Sequence, residues 1–112
     1  MNRLVKIKEN YEFRRAYNRG KAFVTPYAVI YTYKNKSNNL RLGITAGKKI
    51  GKAVQRNRAK RLITAAFRNI SSDLLMGYDY IIVARVRILN VKSTVVERSF
   101  YKSLSEAGFI NK

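Results

Sequence analysis

The chain has 112 residues, 46% of them hydrophobic, and carries 24 Lys and Arg against 6 Asp and Glu for a formal net charge of +18. This length fits one domain with one core, and a compact domain so basic repels itself unless a polyanion neutralises it. With no His and no Cys, a disulfide scaffold, a Ser-His-Asp or Cys-His site and a zinc centre held by the protein are all set aside.

The N-terminal run MNRLVKIKENYEF is too polar for the apolar region of a signal peptide. Residues 9–19, ENYEFRRAYNR, read as a first helix with Phe13, Ala16 and Tyr17 on one face and Gly20 as a left-handed stop. Pro26 opens an extended run, YAVIYTY, in which Tyr27, Val29, Tyr31 and Tyr33 alternate with Ala28, Ile30 and Thr32. KNKSNN is a polar turn, and LRLGITA is the next strand, antiparallel to the first if the two form a hairpin. Its apolar face is Leu40, Leu42 and Ile44.

GKKIGK, with two glycines, reads as a loop or a short irregular strand. Residues 53–70 form the longest helix, and SSDLLMGY returns the chain. DYIIVA is a nearly continuous apolar strand, which suits a central place in a sheet. Thr94 and Glu97 in T-V-V-E suggest a capping box for the last helix, whose core stripe is Val96, Phe100, Leu104 and Ala107 and which Gly108 ends. The expected architecture is a single small α+β domain, helices packed on one mixed sheet. No apolar run is long enough to span a membrane, and the lack of cysteine suits a reducing cytoplasm.

Charge is unevenly placed. From residue 13 to residue 72 there is no carboxylate, while fifteen Lys and Arg occur. The six acids, Glu9, Glu12, Asp73, Asp79, Glu97 and Glu106, are scattered. No catalytic residue and no metal ligand is therefore assigned to the protein. A long stretch of one sign reads as a footprint for nucleic acid.

The centre of that stretch is AVQRNRAKR at 53–61. A helix turns about 100° per residue. With Ala59 at zero, Leu62, Ile63, Ala66, Phe67 and Ile70 fall on the core face. Asn57, Lys60, Arg61, Thr64 and Arg68 fall on the exposed face, and Arg56 and Arg58 take opposite shoulders. Like charges at i,i+4 cost a few tenths of a kcal/mol each and are usually relieved by Glu; here Arg56 and Lys60 have none. Arginine suits phosphate because its planar fork donates two bonds at once. Asn57 can donate to phosphate or ribose and accept from a 2′-hydroxyl or base edge.

Four segments, EFRRAYNRG at 12–20, RLGIT at 41–45, KKIGKAVQRNRAKR at 48–61 and YIIVAR at 80–85, make the chain similar to the protein subunit of bacterial ribonuclease P over nearly its whole length. The resemblance implies α-β-β-β-α-β-α order, a four-stranded mixed sheet and a left-handed βαβ crossover around the basic helix. It implies one RNA-binding domain over 1–112 that assists a catalytic RNA subunit in removing the 5′ leader of precursor tRNA. It further implies no cofactor bound by the protein alone, Mg²⁺ held mainly by RNA, and no DNA partner. By position, Lys48, Lys49, Arg56, Asn57, Arg58 and Arg61, with Lys52 and Arg68 on the same surface, would face the RNA subunit. Phe13, Tyr17 and Tyr31 would line a cleft for the single-stranded leader, with Lys60 at its edge. Three positions depart from the family pattern: Thr64 replaces a frequent basic residue, Lys52 a frequent Asn cap, and Arg87 an expected proline. A general RNA-binding or ribosomal-type protein without a processing role is the alternative.

Overall fold

The computed structural model describes residues 4–111. In chain order these form β1 (Leu4–Lys6), α1 (Asn10–Arg19), β2 (Lys21–Val24), β3 (Ala28–Lys34), β4 (Leu40–Thr45), α2 (Ala53–Ile70), β5 (Tyr78–Ala84) and α3 (Ser93–Glu106), with short 3-10 turns at Lys48–Ile50, Ser71–Asp73 and Val86–Asn90. The strands make one mixed sheet in the order β1-β4-β5-β3-β2. β5 is central, as its apolar run suggested; it runs parallel to β4 and antiparallel to β3.

Alternation along the strands divides the core. Ala28 and Ile30, Leu40 and Leu42, and Tyr80 and Ile82 point to one face, where α2 supplies Ala59, Ile63, Ala66 and Phe67 and α3 supplies Val96, Phe100 and Leu104. The opposite face carries Ile81, Tyr31 and Tyr33, and α1 covers part of it with Ala16 and Phe13. Phe67 and Tyr80, both fully buried, pack with ring centroids 5.5 Å apart. Burying each such ring contributes roughly 1.5–3 kcal/mol.

The sheet has five strands rather than four. Lys21–Val24 pairs antiparallel with β3, and Leu4–Lys6 pairs parallel with β4. The segment 47–52 supplies no strand; its centre is a 3-10 turn that buries Ile50. β3 and β4 do not form a hairpin, because β5 lies between them. Tyr27 lies ahead of β3 and packs with the α2 and α3 core, unlike Tyr31 and Tyr33. The β2–β3 turn is tied by Thr25, whose hydroxyl accepts from the Ala28 N–H at 3.0 Å and donates to its carbonyl at 2.7 Å.

Two helix ends also differ from expectation. Gly20 is extended, not left-handed, with φ −82°. It is small because a Cβ there would lie 2.4 Å from the Thr32 carbonyl oxygen. The cap of α3 is Lys92 rather than Thr94, with no side-chain bond to the helix; the helix begins at Ser93, so Thr94 is already inside its first turn. Gly108 does end α3, in the left-handed region at φ 87°. Among the described residues, no helix is long and apolar enough to cross a membrane.

Candidate nucleic-acid interface

The two faces of α2 emerge as the angular pattern predicts. Ala59, Ile63, Ala66, Phe67 and Ile70 are buried. Asn57, Arg58, Lys60, Arg61 and Arg68 are exposed, as are Lys48, Lys49 and Lys52 in the preceding loop. Among the described residues, no ion pair reaches any cation of α2 or of that loop. The outer surface of the helix thus keeps its charge unopposed.

The loop is bolted to the helix that follows. Gly51 has φ 140°, a backbone region that disfavours any side chain. The Lys52 N–H donates to Gln55 Oε1 at 2.6 Å, closing the first turn from the inside. Arg56 is half-buried, and its guanidinium donates to the Gly51 carbonyl at 2.7 Å. Arg56 therefore spends one donor on positioning the loop, unlike Arg58 and Arg61. This role follows from loop geometry and could not be read from helical angle.

Asn57, Lys60, Arg61 and Arg68 line one shallow groove with Lys6 and Thr64, of about 600 Å³. Thr64 turns inward along the helix, its hydroxyl donating to the Lys60 carbonyl at 2.8 Å. It contributes no charge to the groove.

On the other face of the sheet the three aromatic candidates meet. The Tyr17 and Tyr31 rings lie edge to face, centroids 4.9 Å apart, and Phe13 follows at 6.5 Å from Tyr17. Tyr17 remains exposed, while Phe13 and Tyr31 are half-buried over Ile81 and Ala16. Gly43 of β4 allows the close seat of Phe13, since a Cβ there would fall 2.8 Å from its ring. Lys60 lies over the β1/β4 edge, in a groove of about 220 Å³ with Lys6, Ile7, Leu42, Ile44 and Thr64. Ile7 is the link, since it also packs into the cluster that holds Phe13.

Sequence reasoning missed a buried ion cluster beneath α1. Register places Asp79 of β5 beside Arg41 of β4. Arg41 hydrogen-bonds Glu12 from the helix and lies 3.5 Å from Asp79 Oδ1, while Arg15 approaches Asp79 Oδ2 at 3.6 Å. The Asn35 amide donates to Asp79 Oδ1 at 2.9 Å, and Asp79 is fully buried. Burial opposes the charge of Arg41, but the bond to Glu12 and the charges of Asp79 and Glu12 outweigh it and raise its pKa. Arg15 also lies over the Tyr33 ring, 4.8 Å from the centroid. The available sequence signal was an acid heading the apolar run DYIIVA in a chain poor in acids.

These features define a small basic α+β domain that presents an arginine-rich helix on one side of its sheet and a cluster of aromatic side chains on the other. The chain belongs to the ribonuclease P protein family: the family model described as Ribonuclease P matches residues 1–108. It is 34% identical over 112 residues to the ribonuclease P protein component of Natranaerobius thermophilus, covering 100% of this chain and 97% of that one. It is 40% identical over 107 residues to that of Clostridium botulinum, covering 95% and 96%. The Staphylococcus aureus RNase P protein superposes with a TM-score of 0.82 at 34% identity, over 95% of this chain and 97% of that one. The Thermotoga maritima RNase P protein does so with a TM-score of 0.80 at 26% identity, over 90% and 96%.

Proposed function

We propose that this protein is the RNA-binding subunit of a ribonuclease P holoenzyme that removes the 5′ leader from precursor tRNA in the cytoplasm. The RNA subunit would be the catalyst, with Mg²⁺ held mainly by RNA. The observation that carries this reading is the pairing of two different surfaces on opposite faces of one sheet: the unopposed cations of α2 and the Phe13–Tyr17–Tyr31 ring cluster.

Each surface has a distinct task in this reading. Lys48, Lys49, Lys52, Asn57, Arg58, Arg61 and Arg68 meet phosphates and sugars of the RNA subunit, and Arg56 holds the loop in place while adding its own charge. Phe13, Tyr17 and Tyr31 take unstacked leader bases, since single strands bind aromatic platforms inside basic grooves. Lys60, over the β1/β4 edge, meets backbone passing between the two surfaces. Tying down the substrate and neutralising RNA–RNA repulsion would lower the Mg²⁺ that the reaction needs.

Binding of the isolated RNA subunit to the full chain, titrated over salt, tests the first task. Nanomolar-range affinity with a steep salt slope supports it. An affinity no better than for unrelated structured RNA would favour a general RNA-binding protein instead.

A further inference from the structure

Helical spacing gives α1 two shoulders. At about 100° per residue, Ala16 points into the sheet, Phe13 and Tyr17 fall to one side, and Glu12, Arg15 and Arg19 fall to the other. The first shoulder borders the aromatic cluster. The second borders a separate depression that nothing in the proposed function uses.

That depression is a trough around the free edge of β3, made of two hollows: the first lies on the α1 face with the Tyr33 ring, and the second reaches the opposite face, where Tyr78 packs with the α2 and α3 core. The first, of about 530 Å³, runs past Arg15, Lys36 and Arg41; the second, of about 290 Å³, runs past Arg19, Lys21 and Tyr78. Tyr33 and Lys34 line both. The trough exists because β2 stops short: its pairing with β3 begins at Lys21 opposite Thr32, so Tyr33 and Lys34 extend beyond it.

Its charge is unopposed. The carboxylates nearest it are Glu12 and Asp79, both buried and both engaged by Arg15 and Arg41. Arg19, Lys21, Lys34 and Lys36 are exposed, and among the described residues none of them is in an ion pair. Two half-buried tyrosines lie beside the cations: Arg15 covers the Tyr33 ring and offers its own guanidinium plane for stacking, and Tyr78 packs edge to face with Phe109. Cations along a groove with aromatic rings between them are the arrangement that holds a single strand by its phosphates and bases. A duplex keeps its base faces stacked inside and cannot use such rings. An acidic peptide would satisfy the charges but has no flat base to lay on the Arg15–Tyr33 pair or on Tyr78.

We propose that this trough is a second binding track for single-stranded RNA, running round the free edge of β3 on the side of α1 away from the Tyr17–Tyr31 pair. It takes a short unpaired segment, its phosphates on Arg19, Lys34 and Lys36 and a base against Tyr33 or Tyr78. The proposal rests on the trough alone and needs no RNA subunit.

The test uses the full chain and a fluorescent oligouridylate containing 4-thiouridine. The triple variant Arg19→Ala, Lys34→Ala, Lys36→Ala is compared with a control of equal charge loss on α3 and its cap, Lys92→Ala, Arg98→Ala, Lys102→Ala. All six side chains are exposed, so neither variant removes core packing, and matched circular dichroism spectra check that both fold. Wild-type crosslinks should include Tyr33 or Tyr78 and vanish in the trough variant. That variant should bind on the order of tenfold more weakly and flatten the salt slope by about two units, three single-strand contacts being lost, while the control stays near wild type. Equal losses in both variants, or crosslinks confined to Tyr17, Tyr31 and α2, would overturn the proposal. So would polyglutamate binding with equal affinity and equal dependence on the three residues.

Discussion

Tyr17 of α1 and Tyr31 of β3 meet edge to face, at an interplanar angle of 67°. The contact leaves Tyr17 itself open to solvent. Tyr17→Ala should therefore spare the core. It should weaken holoenzyme binding to a long-leader precursor by about 1–3 kcal/mol, the worth of one stacked base, and leave mature tRNA unaffected. Paired affinity measurements on the two ligands check this; equal losses would make Tyr17 a structural residue.

The arginines of α2 should separate by role. Arg58→Ala and Arg61→Ala should each flatten the salt dependence of RNA-subunit binding by up to about one unit and leave thermal stability unchanged. Arg56→Ala should do the same and also destabilise the free protein by about 1–3 kcal/mol, because the Gly51 carbonyl loses its charged donor. Salt titrations and denaturant melts on the three variants distinguish the two classes.

The fold reveals where sequence reading succeeds and where it stops. Ala59 and Phe67 against Arg58 and Arg61 were legible because helical period sorts them into two faces. The central place of β5 was legible because Ile81 and Ile82 allow no polar face. The edge strands β1 and β2 were not, since Lys6, Lys21, Ala22 and Val24 are exposed and leave no alternating pattern. The insertion of β5 between β3 and β4 is long-range pairing, which no local signal encodes. Of the candidate site, Tyr17 and Tyr31 came together as expected. Lys60 faces the β1/β4 edge, which could not be placed without β1, a strand unseen in the sequence. The inward turn of Arg56 needed the Gly51 carbonyl, whose direction depends on a positive φ.

Asp79→Ala should be among the most destabilising single changes in the molecule. It leaves Arg15, Arg41 and the Asn35 amide facing a missing carboxylate in the interior. Breaking a buried ion pair from one side costs about 3–5 kcal/mol. Urea unfolding of the variant measures this, and a loss under 1 kcal/mol would mean that Arg15 and Arg41 reach solvent without penalty.

Alkaline stability should report on Tyr80. Burial, and then the nearby Tyr78, push its phenol well above the ordinary value, and its hydroxyl donates to the Leu75 carbonyl at 2.9 Å. The unfolded chain would release this proton first, so the contribution is full below about pH 10 and declines as pH rises beyond it. Tyr80→Phe should cost about 1 kcal/mol at neutral pH and show a shallower loss above pH 10 than wild type. Melts across that range read both effects.

The central claim is that the protein serves an RNA catalyst. Its most direct test is cleavage of a precursor tRNA by a bacterial ribonuclease P RNA at low Mg²⁺, with and without the full chain. The account predicts no cleavage by the protein alone, and correct 5′ processing by the RNA at Mg²⁺ concentrations where the RNA alone is nearly inactive. Cleavage by the protein without RNA, or no stimulation of the RNA at any Mg²⁺ concentration, would contradict it.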